Sequence, residues 1–290
     1  MENTLSLEVQ MQFLRPGQLE AACRRFPVVY VPFGLIEWHG PHLPLGNDAL
    51  KAHAILIKCA EKFGGIVYPP IYFHSGFNQE YLVHVLTELF DRLKRTGFRV
   101  ILGVSGHNTK GQIDMINKAL APVIADGTVT GMGLWEVSLS KGPESGTDHA
   151  AKWETSNMMF FYPDLVDMSK LGDESSNEEI RSMGPITPLS NEEIRSMKPI
   201  KPLKKMKPFN PVIMPFAKNV AGKPKIGMVQ KTILGIGGLD PRKHASSNIG
   251  KRNVELASES IGKKAQELLA SLSERSFNLE ALEPRKWWMI

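Results

Sequence analysis

Two cysteines in 290 residues, Cys23 and Cys59, are too few for a disulfide framework and lack the paired spacing of a zinc ribbon. Their scarcity suits a reduced, cytoplasmic setting. No hydrophobic run approaches the length of a membrane span, so a soluble protein is expected, with no membrane partner. Met1-Glu2-Asn3-Thr4 offers neither the basic region nor the apolar core of a secretory signal. Acidic residues are missing between Ile194 and Leu239, a stretch that holds ten Lys or Arg, whereas the whole chain carries only +5. The excess positive charge therefore belongs to one Pro- and Lys-rich segment. With only Phe209 and Phe216 interleaved and no nucleic-acid module in sight, that segment reads as a solvated face, and no nucleic acid is expected as partner.

What is present is an alternation of buried strands and amphipathic helices. Pro27 to Phe33 is a short β-branched run suited to a buried parallel strand. Pro16 to Phe26 forms a helix before it, and Asn47 to Phe63 a helix after it that stops before Gly64-Gly65. Ile66 to Phe73 is a strand broken by Pro69-Pro70. Asn78 to Thr96 carries an apolar stripe of Leu82, Val85, Leu86, Leu89, Phe90 and Leu93 and ends at Gly97. Arg99 to Val104 and Thr128 to Ser138 read as strands, and Gly111 to Ala125, His149 to Phe161 and Ala245 to Ser273 as helices. The expectation is a three-layer α/β/α fold with a mainly parallel sheet, in which functional loops gather at the carboxyl ends of the strands.

One loop concentrates chemistry. Gly34 to Asp48 follows the first strand and packs Glu37, His39 and Asp48 among glycines and prolines. Glu37 and His39 are two apart, so extended backbone sends both side chains to one face, roughly 6–7 Å apart. An isolated Glu-x-His pair is most often a solvated strand end. Three hard or borderline metal ligands in so constrained a loop favour a functional purpose.

Glu37-Trp38-His39-Gly40-Pro41-His42-Leu43-Pro44-Leu45-Gly46-Asn47-Asp48 resembles the signature of the creatininase (creatinine amidohydrolase) family, which has Gln and Thr where this chain has Trp38 and Asn47. The resemblance returns at Ser105-Gly106-His107-Asn108, at Asp148 to Ser156 and at Gly238-Leu239-Asp240-Pro241. It implies that Glu37, Asp48 and His107 hold one divalent ion, that His39, Asp48 and Glu154 hold a second, and that Asp48 bridges the two. Zinc, manganese and iron all suit such ligands. It further implies an amidohydrolase that opens a non-peptide C–N bond of a small cyclic or linear amide, with His149 moving a proton to the departing nitrogen and a homohexameric assembly.

Departures from the family pattern bear on substrate. The usual Gly-His-Gly-Gly turn is here Gly106-His107-Asn108-Thr109. Thr109 stands where creatininases have a ligand carboxylate, and this is why the ligand role passes to Glu154. The stretch between His74 and Glu80 also lacks the segment that borders the family's pocket, which weighs against creatinine itself. A formamide deformylase, a small-peptide hydrolase and a non-catalytic metal-binding scaffold of the same fold are the alternatives. One domain is expected over residues 1–290, with an inserted arm at about 172–226. Within the arm, Ser176-Asn177-Glu178-Glu179-Ile180-Arg181-Ser182-Met183 recurs from Ser190 to Met197, and this arm and the Trp287-Trp288 tail are expected at subunit contacts.

Overall fold

The strand β1 (Val28–Ile36) divides its side chains between two cores, and the layers follow from that division. Val29, Val31 and Phe33 face one side with Ile101; Val28 and Tyr30 face the other with Val100, Leu102 and Val104. The period of two is that of a pleated strand, and because both faces are covered every residue from Val28 to Gly34 is buried. The computed structural model describes residues 8–172 and 236–273.

In chain order the elements are α1 (Pro16–Arg25), β1, α2 (Asn47–Phe63), β2 (Ile66–Val67), β3 (Ile71–His74), α3 (Gln79–Thr96), β4 (Val100–Ser105), α4 (Lys110–Ile124), β5 (Thr130–Trp135), α5 (Lys152–Phe161), α6 (Pro241–His244) and α7 (Ser247–Ser273). The sheet runs β2-β1-β4-β5, and β3 pairs with the second half of β1 on the edge that β2 takes in the first half. Every pairing is parallel, with Tyr30 opposite Leu102 and Leu102 opposite Met132. Helices α1, α3 and α4 fill one face, through Leu19, Phe90 and Ile116 among others, and α2 and α7 fill the opposite face through Ile55, Leu56, Val254 and Ile261. This is the mainly parallel α/β/α arrangement expected from the strand–helix alternation.

Local chemistry sets the boundaries. Pro16 opens α1, the Asn78 side chain accepts the Glu80 N–H at the start of α3, and Gly97 ends α3 with a left-handed φ of 116°. In α3 the buried stripe is Leu86, Phe90 and Leu93, and Val83 packs against it while Val85 is exposed. The spacing explains the exchange, because 83, 86, 90 and 93 follow the three-four repeat of one helix face. Two boundaries differ from expectation more consequentially. β5 stops at Trp135, leaving Glu136 just beyond the sheet, and α5 starts at Lys152 because His149 is engaged in an antiparallel bridge with Gly237. Asp148 still serves the helix start, its carboxylate accepting the N–H groups of Trp153 and Glu154. The arm, its internal repeat and the Trp287-Trp288 tail lie outside the described residues.

The start of α2 is pressed unusually close to the strand ends. A Cβ on Gly34 of β1 would overlap Ala49 N and Asp48 Cβ, and one on Gly106, just past β4, would overlap the Asp48 carbonyl. Both glycines therefore let Asp48 drop onto the carboxyl edge of the sheet. Gly106→Ala should cost about 1–3 kcal/mol in urea denaturation, because the added methyl meets backbone and not a movable side chain. A cost below about 0.5 kcal/mol would show that the close approach is not needed.

Candidate metal centre

Three carboxylates and three imidazoles converge above this edge. Glu37 follows β1, Asp48 is the second residue of α2, His107 lies two residues past β4, and Glu154 is the third residue of α5. The loop after β1 turns back through Gly40, with φ of 70°, and brings His39 inward until it is fully buried. His149 enters from the strand-like bridge to Gly237 and stacks on the His39 ring at a centroid separation of 4.7 Å.

Asp48 is the hub. Its Oδ1 lies 3.0 Å from His39 Nε2, and its Oδ2 lies 3.3 Å from His107 Nδ1 and accepts the Leu35 N–H at 3.2 Å. His107 Nδ1 is also 2.9 Å from Glu37 Oε1. His39 Nε2 has Glu154 Oε2 at 3.6 Å and Glu37 Oε1 at 3.8 Å. The other His39 nitrogen, Nδ1, faces the Glu37 carbonyl at 3.2 Å. A carbonyl only accepts, so Nδ1 donates, and in the neutral ring Nε2 turns a lone pair toward three carboxylate oxygens. Such an arrangement calls for a cation.

Among the described residues, three groups bring ligand atoms within 4.8 Å of one another: Glu37, Asp48 and His107; His39, Asp48 and Glu154; and Glu37, His39 and His149. The first two have the membership expected from the sequence, with Asp48 common to both. Their imidazole and carboxylate donors fit zinc, manganese or iron.

His149 Nε2 is 2.9 Å from the Trp38 carbonyl and so donates to it. This leaves Nδ1, 3.9 Å from Glu37 Oε1, facing the centre as the acceptor nitrogen of the neutral ring. Trp38 thus contributes its backbone, which explains why a tryptophan is accommodated there; its side chain is 51% exposed. His42 is buried at the rear, where its Nε2 meets Thr155 Oγ1 at 2.9 Å. Asn108 replaces the flexible turn glycine and donates to Thr147 Oγ1, joining the β4 loop to the segment that carries His149.

Two residues of the centre escaped the sequence reading. Lys51, buried on α2, pairs with Glu154 and, at 2.9 Å, with Glu136 Oε1. Glu136 stands immediately past β5, at the same carboxyl edge as His107 past β4. A strand extending to Ser138 would place it inside the sheet. Lys51 lies three residues from Asp48 on one helix face, a spacing that could have linked the two.

The electrostatics follow from crowding. Burial disfavours a charged His39, but Glu154, Asp48 and Glu37 outweigh it and raise its pKa to about 9. Burial likewise opposes a charged His107, and hydrogen bonds to Asp48 and Glu37 raise it to about 10. Asp48 is held well below the carboxylate range, burial being overcome by His107 and His39. Glu154 is lowered, against burial, chiefly by Lys51, whose own pKa is raised by Glu136 and Glu154 in spite of its burial. Burial, then the charge of His39, lowers His42 to about 4 and keeps it neutral.

This α/β architecture with overlapping carboxylate–imidazole groups at the carboxyl edge defines a metal-centre protein of hydrolase type. The chain belongs to the creatininase family of hydrolases: the family model described as creatinine amidohydrolase matches residues 13–261. It is 26% identical over 178 residues to the creatinine amidohydrolase of Pseudomonas putida, covering 50% of this chain and 68% of that protein. It is 30% identical over 157 residues to the mycofactocin precursor peptide peptidase of Mycolicibacterium smegmatis, covering 48% of this chain and 60% of that relative. Among solved structures, a mutant creatininase of Zn–Zn type aligns with a TM-score of 0.63 at 19% identity, over 90% of this chain and 98% of the other. A manganese creatininase aligns at 0.59 and 21% identity, with the same coverage. At these identities the structural likeness establishes the fold.

The raised imidazole pKa values make a prediction about the metal-free protein. Relative to the ordinary 6.5, protonation of His39 and His107 stabilises the fold fully below about pH 6.5, and that contribution is lost as pH rises through 9 to 10. At pH 7.5 both rings carry protons that an ion must displace. Loading should release about two protons per chain, measured by titration calorimetry in buffers of different ionisation enthalpy. Loading without proton release would contradict the placement of either histidine.

Proposed function

We propose that the chain is a two-metal amidohydrolase that cleaves a non-peptide C–N bond in a small cyclic or linear amide. The observation that carries this reading is the division of Asp48, each oxygen of which serves a different imidazole–carboxylate pair. Glu37, His107 and Asp48 Oδ2 would hold one divalent ion; His39, Glu154 Oε2 and Asp48 Oδ1 would hold the other. Such a pair, zinc, manganese or iron, supplies an acidified water and a polarised amide carbonyl when bound.

The chain's own residues then handle protons and position. Trp38 O fixes the tautomer of His149, and Nδ1 is left to take a proton at the centre and return it to the departing nitrogen. Glu154 doubles as ligand and as a carboxylate beside that path, since its Oε2 faces the His39 ring on which His149 stacks. Asn108, in place of glycine, ties the turn that carries His107 to the segment that carries His149. The resemblance to a peptide peptidase makes a short peptide the second substrate class to screen, beside creatinine-like rings and formamides.

Self-association into a homohexamer is part of the same reading, as is a cytoplasmic location. The latter is supported by two free, buried cysteines. No helix among the described residues is long and apolar enough to cross a membrane.

Asp48→Ala should abolish retention of both ions, measured by elemental mass spectrometry, because it withdraws a ligand from each. Loss of one ion alone would rule out the bridge. His149→Gln should keep the ions and lower turnover of whichever amide the screen identifies by about 10²–10⁴-fold. Unchanged turnover would assign His149 to packing, and loss of metal would assign it to coordination.

A further inference from the structure

The His149 side chain is fixed by the Trp38 carbonyl and the His39 ring, but its backbone is held from elsewhere. The antiparallel bridge supplies two bonds: the His149 N–H donates to the Gly237 carbonyl at 3.0 Å, and the Gly237 N–H donates to the His149 carbonyl at 2.8 Å. The Lys152 N–H donates to the Leu239 carbonyl at 3.1 Å, so Gly237 to Leu239 runs beside the whole stretch from His149 to the start of α5. Contact there is tight. A Cβ on Gly238, whose φ is 147°, would lie 2.8 Å from Ala151 Cβ and 2.9 Å from Asp148 Cβ. The stretch needs such a brace, because Ala150 has a φ of 53°, positive in no other non-glycine residue among those described. A residue in that region persists only where its surroundings over-determine it.

The brace is anchored in turn by Arg242, whose side chain is 10% exposed. Its Nη2 and Nε donate to the two oxygens of Asp240 at 2.7 and 3.0 Å, and the same carboxylate caps α6 by accepting the Arg242 N–H. From the other edge of the guanidinium, Nη1 donates to the carbonyls of Leu171 and Gly172 at 3.4 and 3.3 Å. Leu171 and Ile236, more than sixty positions apart, therefore meet in one small core with Ala150 and Ala151. That core reaches the loop of His39, since a Cβ on Gly40 would lie 3.5 Å from Ile236 Cγ1. We propose that Arg242, oriented by Asp240, is a positioning residue for His149: it holds Gly237–Leu239 against Asp148–Lys152, and so keeps the imidazole on His39 with Nδ1 turned to the centre. This rests on the proton-transfer reading of His149 above. Among the described residues the hydrogen bonds of Arg242 go to Asp240, Leu171 and Gly172 and to none of the candidate ligands, so its loss leaves the cation groups in place. The fork is essential, because one carboxylate and two carbonyls are met by different edges of a single planar group.

The experiment is Arg242→Gln in the full chain, alone and combined with His149→Gln. The single variant should keep its metal content by elemental mass spectrometry and lower kcat for the amide identified by the screen about 10–100-fold, with KM within about threefold. In the His149→Gln background the same substitution should cost less than about twofold, because nothing remains to be positioned. A crystal structure of Arg242→Gln should show His149 Nε2 beyond about 3.5 Å from the Trp38 carbonyl, out of hydrogen-bond range. Asp240→Asn preserves the cap acceptor of α6 but weakens the grip on the guanidinium; it should act in the same direction, and it serves if circular dichroism shows Arg242→Gln unfolded. A ring still bonded to the Trp38 carbonyl overturns the proposal whichever amide is turned over. An equal loss of kcat in both backgrounds makes Arg242 a general structural residue and overturns it too, leaving the role of His149 intact. Wild-type turnover in His149→Gln overturns the proton-transfer reading, and this inference with it.

Discussion

The position of Asp48 is the constraint on which the rest of the centre depends. Its carboxylate is divided between His39 and His107, and its backbone lies against Gly34 and Gly106 at the ends of two adjacent strands. Side chains at either glycine would push α2 away from the sheet, and the two imidazoles would no longer share one acid. The first turn of a helix also favours a negative charge, so the same placement that serves the site serves α2. Packing, capping and chemistry thus impose the same requirement on one residue.

Around that hub the protein assembles more negative charge than an unliganded interior tolerates. Glu37, Asp48 and Glu154 converge, with Glu136 behind them, and the protein answers with Lys51 and with two imidazoles that hold protons well above their ordinary range. On the two-metal reading the protons on His39 and His107 give way to ions, whereas Lys51, with its pKa raised, keeps its charge. The centre is thereby compensated in the metal-free state and poised for cation uptake in the same geometry. Buried charge of this kind contributes little net stability, and its retention is explained by what it positions.

Much of this was legible in the sequence because the candidate ligands are local to strand ends. Glu37, His39 and Asp48 fall within twelve residues of one loop, and His107 follows a six-residue buried strand. Glu154 came from the resemblance to a family motif, since a carboxylate within a helix has no periodic signature of its own. Lys51 and Glu136 are harder to read, for a different reason. Patterning treats a lysine on an amphipathic helix as solvent-facing, and only the tertiary approach of α2, β5 and α5 reveals it as buried and paired. The start of α5 was misplaced by three residues because His149 hydrogen-bonds to Gly237, more than eighty positions away, and no local rule anticipates that bridge.

The central claim is that one aspartate joins two cation sites, and anomalous diffraction from crystals grown with Mn²⁺ tests it most directly. The account predicts two peaks flanking Asp48, one beside Oδ1 with His39 and Glu154, the other beside Oδ2 with Glu37 and His107. A single peak, or two peaks of which either lies out of bonding range of Asp48, about 2.0–2.3 Å for such ligands, would contradict it.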